Sequence, residues 1–199
     1  MDKMFLTELL VTRLSHDLVG NIGALSNAVE LMADEDDDDK EDINKILTLS
    51  SSVLSKRLKF FRLCFGLSNA KVNSLEDLNN IICDYISTIG NPNYKIEYSQ
   101  KISTPKIYKF IMPAVMMMAD IVIKTGKISV FETENSLRIE VSSEDKLNLN
   151  KLKSIENVLN NEKPEDNISS FAPLYYLLAY TNENEVKVYL DGTSLVIGE

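Results

Sequence analysis

The chain has 199 residues, of which 44% are hydrophobic and 26% are charged, a composition typical of globular proteins. Its formal net charge of −9 disfavours binding to the phosphate backbone of nucleic acids. The two cysteines, Cys64 and Cys83, lack metal-ligand spacing and predict neither a zinc site nor a disulfide scaffold. The longest strongly apolar run, 110–119, is too short to cross a bilayer, so we expect a cytoplasmic protein without membrane attachment.

Two long helices are predicted first. Apolar residues recur at helical spacing over 4–33 and again over 43–65, separated by the acidic stretch 34–42, which reads as a solvated connector. This pattern predicts an antiparallel helical hairpin whose apolar stripes are wider than one partner covers. We therefore expect two copies to form a four-helix bundle with two-fold symmetry.

Helix and strand patterns alternate after a polar joint at 69–73, which predicts a domain boundary. Ser74 with Asp77 three residues later is typical of a helix start. The later predictions are a strand over 94–99, a helix over 106–126 bent or begun by Pro113, a hairpin over 126–144, helices over 147–162 and 168–182, and a hairpin over 185–199 turned at Asp191-Gly192. The fold class is thus α+β, with a hairpin domain at 1–68 and an α/β sandwich at 69–199.

The only histidine of the chain, His16, lies on the flank of the apolar stripe of the first helix. Gly20 and Gly23 follow it on the same face, and each costs the helix about 0.5–1 kcal/mol relative to alanine. A cleared strip beside an exposed imidazole lets another surface approach closely. The alternatives are tight helix–helix packing for the glycines and an ordinary packed or surface role for the histidine.

Basic residues of the second helix are predicted to lie at the level of His16, since the hairpin register places position 59 about opposite it. They are Lys56, Arg57, Lys59 and Arg62. Together with Arg13 they are suited to neutralise phosphoryl oxygens or to attract an acidic partner, and a solvated helix face is the alternative. The combination predicts a neutral imidazole nucleophile for phosphoryl transfer.

The stretch RLSHDLVGNIGALSNAVELM resembles the phosphoacceptor helix of two-component histidine kinases, and more closely that of ChpT-type histidine phosphotransferases. The matching positions are His16, Asp17, Leu18, Gly20, Gly23, Ala24, Asn27, Glu30 and Leu31. One departure is Asn21, which stands where the family usually has proline. The KRLKFFRLCFG ending of the second helix and the order of elements resemble the family too.

The resemblance implies that His16 carries phosphoryl groups between aspartates of receiver domains, with Asp17 orienting the imidazole. Gly20, Gly23, Ala24 and Asn27 are expected to line the docking face, together with the early part of the second helix. Expected partners are response-regulator receiver domains and an upstream hybrid histidine kinase, each receiver bringing its own Mg²⁺.

The resemblance also implies that 69–199 derives from the ATP-binding domain of histidine kinases. That site needs a helical asparagine to hold Mg²⁺ and Gly-rich segments around the phosphates. Here methionines and valine occupy the helix positions, and the seven glycines of the chain form no Gly-x-Gly. We therefore expect a degenerate domain that binds no ATP, and a protein that needs no cofactor.

Three other functions stay open at this point. The chain could be an ATP-dependent histidine kinase or a fragment of one. It could also be a non-catalytic regulator that binds a kinase or receiver, or a phosphatase that acts through Asp17. Labelled phosphohistidine, nucleotide binding and net phosphate release separate these functions.

Overall fold

The computed structural model describes residues 2–34, 40–66, 72–90, 94–164 and 167–198. Its elements are, in chain order, α1 (Lys3–Asp34), α2 (Lys40–Phe65), α3 (Leu75–Ile86), β1 (Lys95–Lys101), α4 (Tyr108–Ala119), β2 (Thr125–Glu132), β3 (Ser136–Ser142), α5 (Leu149–Leu159), α6 (Ala172–Glu183), β4 (Lys187–Asp191) and β5 (Ser194–Gly198). Short 3₁₀ helices, Pro105–Ile107 and Ile168–Phe171, lead into α4 and α6. The mixed α+β class is thereby confirmed.

The first two helices form the predicted hairpin. Phe5 near the start of α1 and Phe65 at the end of α2 contact the neighbouring Tyr175 and Tyr176 of α6, so α1 and α2 run antiparallel. With 32 residues, α1 is about 48 Å long at the usual rise per residue. The middle of the acidic connector and the predicted domain boundary lie outside the described residues.

The strands of the described residues form one five-stranded sheet, in the order β1-β2-β3-β5-β4. Strands β1 and β2 pair in parallel, and all other neighbours pair antiparallel. Both predicted hairpins are confirmed, and the second turns at Gly192, whose φ of +61° suits glycine. Apolar side chains of the sheet's middle strands, among them Ile128, Val130 and Ile139, are fully buried.

Helix α4 is the centre of the core. From Ile111 to Ala119 every side chain is buried, and the helix contacts α2, α6 and the middle strands of the sheet. The prediction of one helix over 106–126 is wrong at its C-terminal end, because the β-branched residues after Ala119 leave the helix and Thr125 starts β2. Pro113 lies inside α4 and does not begin it.

The hairpin packs on this core through the end of α2 and one side of α1. Phe60 of α2 stacks on Tyr85 of α3 with ring centroids 3.9 Å apart. Helix α1 contacts α6 and the 3₁₀ segment before it, and its Leu9 is buried. Helix α3 begins as predicted, since the Ser74 hydroxyl accepts the Asp77 amide hydrogen. Across the described ranges, no helix has both the length and the apolar content that a bilayer crossing requires.

Candidate functional site

The imidazole of His16 lies on the surface of α1, where 79% of its side chain is exposed. Its Nδ1 lies 3.4 Å from Oδ1 of Asp17. Neighbouring residues on a helix point about 100° apart at 3.6 residues per turn, so this contact is not given by helix geometry alone. Within the described part of the chain, Nε2 has no hydrogen-bond partner. The ring therefore combines one nitrogen beside a carboxylate with one nitrogen open to an incoming group.

Asp17 is held by Arg13 from one turn earlier in α1. The Arg13 Nε donates to Oδ2 of Asp17 at 2.9 Å, and the two side chains are only 13% and 16% exposed. The two oxygens of Asp17 are thus divided between partners, Oδ1 towards His16 and Oδ2 towards Arg13. This division fixes the carboxylate in one orientation beside the imidazole.

Arg13 is itself bound by the part of the chain that follows the hairpin. Its Nη1 and Nη2 donate to the two carboxylate oxygens of Asp120 at 3.0 and 3.4 Å, and Nη1 also donates to the Ser170 carbonyl at 3.1 Å. Burial alone lowers the pKa of the guanidinium, but the hydrogen bonds and charge of Asp120, with the charge of Asp17, outweigh it and raise the pKa above its usual value. Arg13 therefore stays charged between two carboxylates.

Asp120 is a residue that the sequence analysis did not assign to the site. It is the residue after α4 and lies 107 positions from Arg13 along the chain. No local pattern links the two positions. They come together because α1 packs on α6 and on the 3₁₀ segment before it, and α6 in turn packs on α4.

Arg57 of α2 also contacts the site, through the main chain of Asp17. Its Nη1 donates to the main-chain carbonyl of Asp17, so Arg57 lies at the level of His16. Its Nε and Nη2 donate to the hydroxyl and carbonyl oxygens of Thr88 at 3.1 and 2.6 Å. Arg57 therefore joins α1, α2 and the end of α3.

The other basic residues lie further out along α2. Lys56 forms an ion pair with Asp84 at 3.1 Å, and Lys59 lies 4.0 Å from Asp77, so both face acidic residues of α3. Arg62 is exposed. The cluster thus has one member, Arg57, bound to the main chain next to His16, and members whose charge is partly balanced by α3. Their electrostatic role in phosphoryl transfer stays a prediction.

The glycines after His16 leave open space. A Cβ added at Gly20 or Gly23 would meet no atom within 4 Å, and both residues are exposed. Tight packing against another part of the described chain therefore does not explain them. Asn27 is exposed further along the same face, and Ala24 is half-buried. The surface strip beside the imidazole, formed by Gly20, Gly23, Ala24 and Asn27, therefore has few protruding side chains and is accessible to solvent.

A small cavity of about 90 Å³ lies beneath this face of α1. Its lining combines the charged groups of the site with apolar and aromatic side chains, namely Arg13, Asp17, Arg57, Tyr85, Ile89, Gly90 and Asp120. Burial raises the pKa of the Tyr85 phenol well above its ordinary value, so this hydroxyl stays protonated in the physiological range. The cavity thus has charged groups on one part of its lining and the apolar side chain of Ile89 and the ring of Tyr85 on another.

The α4 positions that the resemblance to histidine kinases equates with a Mg²⁺-binding asparagine are part of the core. Met112, Val115 and Met116 to Met118 are fully buried in α4. Among the described residues, no group of three or more His, Cys, Asp or Glu side chains is arranged to hold a metal ion. Apolar side chains thus occupy the part of α4 where polar ligands would be needed.

Comparisons with known proteins give a structural match. No protein-family model and no curated protein sequence matches the chain. Among solved structures, the chain is similar to a bacterial phosphotransferase solved at 1.7 Å, with a TM-score of 0.75 and 20% sequence identity. The match covers 99% of this chain and 96% of that one, so the two proteins share a fold over their whole length.

Proposed function

We propose that the protein is a ChpT-type histidine phosphotransferase that relays a phosphoryl group between receiver aspartates in a bacterial cytoplasmic phosphorelay. The observation that carries this proposal is the single exposed imidazole of His16 with Nδ1 beside the Asp17 carboxylate and Nε2 open. The similar fold of a bacterial phosphotransferase supports it at the level of reaction class.

The proposed step is an attack by the Nε2 lone pair of His16 on the phosphorus of a receiver aspartyl phosphate. The N–P bond forms as the acyl O–P bond breaks, and the electron pair of the broken bond stays on the receiver carboxylate. The ring is then cationic and still carries its Nδ1 proton, which faces Asp17. The carboxylate stabilises this charge, and the reverse reaction delivers the group to a second receiver.

Receiver docking is assigned to the low strip of α1 beside His16. Gly20 and Gly23 let a partner backbone approach the helix, and Ala24 and Asn27 continue the strip. The proposed partners are receiver domains that bring their own Mg²⁺, with a hybrid histidine kinase upstream. The cations Lys56, Arg57, Lys59 and Arg62 lie on the helix that borders the strip and favour the approach of acidic receivers.

A second copy of the chain is proposed to cover the apolar side of the hairpin. Val11, Ile22 and Val29 are 50–58% exposed, and their spacing of eleven and seven residues returns to one side of a helix. His16 lies about 140° around α1 from this side at 3.6 residues per turn, so it stays accessible in a four-helix bundle. Association buries apolar surface that the protomer leaves in water.

The α+β part from α3 onward is proposed to be a degenerate ATP-binding domain that no longer binds nucleotide. The buried methionines of α4 support this proposal, because they fill the helix that would supply polar ligands to Mg²⁺. The phosphoryl group must then come from another protein and not from ATP.

The proposal is tested by mixing the protein with a receiver domain that carries radiolabelled aspartyl phosphate. We expect wild type to take up acid-labile label, and His16→Ala and His16→Gln to take up none. Because glutamine keeps a polar side chain at the docking face, His16→Gln should still compete with wild type for the receiver. Uptake of label by both variants, or binding without transfer by wild type, contradicts the proposal.

A further inference from the structure

We propose that Asp120, at the end of α4, is a positioning residue for phosphoryl transfer, acting on His16 through Arg13 and Asp17. This inference rests on the proposed function for its chemical meaning. It gives the α+β part a direct task at the phosphoacceptor besides supporting the hairpin. Asp120 touches neither the imidazole nor the incoming group, so its effect must pass through the two residues between them.

The contacts form a continuous path from the core to the imidazole. Asp120 accepts from both Nη atoms of Arg13, at 3.0 and 3.4 Å. Arg13 donates from Nε to Asp17 at 2.9 Å, and Asp17 presents its other oxygen to Nδ1 of His16 at 3.4 Å. Every member except the imidazole is less than a quarter exposed, so solvent screens this path weakly.

The planar fork of the guanidinium explains why Asp120 matters for Asp17. Arginine presents five N–H donors in fixed directions, and here those on Nη1 and Nη2 are directed to Asp120 while Nε serves Asp17. If Asp120 could not accept, the same charge would have Asp17 as its nearest carboxylate. The guanidinium would then turn to bind both oxygens of Asp17 and draw Oδ1 away from the ring.

The consequence concerns the proton on the ring. When Oδ1 of Asp17 accepts from Nδ1, the neutral imidazole keeps its proton on Nδ1 and leaves the lone pair on Nε2, the nitrogen assigned to attack. When Oδ1 is withdrawn, the Nε2–H tautomer gains population and cannot attack. The Nδ1 proton of the phosphorylated ring would also lack its carboxylate. Asp120 thus keeps Asp17 available to His16 by sharing Arg13.

The sole histidine makes this inference directly measurable. Protein labelled with ¹⁵N-histidine gives the signals of one imidazole, and their shifts report the ratio of Nδ1–H to Nε2–H tautomers without any receiver present. In Asp120→Asn we expect this ratio to fall at least about twofold, since the amide binds the guanidinium weakly. Asp120→Glu, which keeps the negative charge, should restore part of the ratio.

The same variants are then tested in transfer from a phosphorylated receiver. In Asp120→Asn we expect a rate at saturating receiver about tenfold lower, at the small end of the loss that follows when a partner orienting a histidine is removed. The half-saturating receiver concentration should not change, because Asp120 is not on the docking strip. Asp120→Glu should recover part of the rate.

Asp191→Asn is the matched control, since it makes the same chemical change in the Arg138–Asp191 ion pair of the sheet, with atoms 2.7 Å apart. We expect it to alter neither the ring shifts nor the rate. Ring shifts in Asp120→Asn or Asp120→Glu that equal those of the control would overturn the inference, whichever variant yields folded protein. A changed tautomer ratio in a protein that accepts no phosphoryl group would instead place the failure in the proposed function.

Discussion

Helices α1 and α4 show how differently two parts of this molecule are built. Ten of the twelve residues of α4 are buried, whereas between residues 3 and 33 of α1 only Leu9 and Ala28 are. Helix α4 carries the apolar core, and α1 carries the sole histidine, the open glycines and several exposed apolar side chains. The α+β part thus holds most of the buried apolar core, and the proposed chemistry lies on a helix that is left accessible.

The largest expected effect on the fold comes from truncating the core helix. Met117→Ala removes a fully buried side chain from α4, and we expect it to lower the free energy of unfolding by about 2–5 kcal/mol. Val29→Ala truncates a 58% exposed side chain of α1 and should change the free energy of unfolding of the protomer by less than about 0.5 kcal/mol. Urea unfolding followed by circular dichroism measures both.

The free-energy penalties of the two variants should also depend differently on protein concentration. If a second copy covers the apolar side of α1, the small penalty of Val29→Ala should grow as the protein is concentrated, because association stabilises the fold by mass action. The penalty of Met117→Ala should be nearly independent of concentration. Equal penalties for the two variants at low concentration would contradict the division between the helices.

The next largest effect is expected for a charge on the apolar side of the hairpin. Ile22→Asp should weaken self-association by at least about 100-fold, since a symmetric interface would bury two carboxylates without partners. Sedimentation equilibrium measures the change. The control is Leu149→Asp, which puts the same charge at another exposed apolar residue, 68% exposed and outside the hairpin. Dissociation by both variants alike, or by neither, would be inconsistent with a dimer through the hairpin.

The smallest expected effect has opposite signs for stability and activity. Gly20→Ala should stabilise the protein by about 0.5–1 kcal/mol, because the new methyl group meets no atom and the helix gains propensity. On the docking strip, the same methyl should raise the receiver concentration needed for half-maximal transfer. Ser52→Ala, at an exposed position of α2, is the control for helix propensity and should leave transfer unchanged. A Gly20→Ala variant that is more stable and equally active would remove the docking role of this glycine.

Periodicity and turn chemistry predict much of the fold because both are local. The hairpin helices, the Ser74 cap and the Gly192 turn all follow from residues close together in the chain. The sequence does not predict that α4 ends at Ala119, since a mostly apolar run such as 111–123 suits a buried helix and a buried strand equally well. The helix ends before Thr125 because the residues from Thr125 onward pair with β1 as strand β2.

The candidate site divides in the same way. His16, Asp17, Arg13 and the glycine strip are neighbours on one helix, so the sequence brings them together. Asp120 and the Ser170 carbonyl reach the site only through tertiary packing, and a search for short motifs has no access to them. The hydrogen bond from Arg57 to the main chain of Asp17 is likewise a tertiary contact that no local pattern predicts.

The position of the phosphoryl group after transfer tests directly whether Nε2 of His16 accepts it. Protein labelled with ¹⁵N-histidine is incubated with a phosphorylated receiver, and the product is examined by ³¹P and ¹⁵N NMR at alkaline pH, where phosphohistidine persists. We expect a phosphorus signal coupled to Nε2 of the single imidazole of His16. A product without this coupling, or a phosphoryl group on any other side chain, would contradict it.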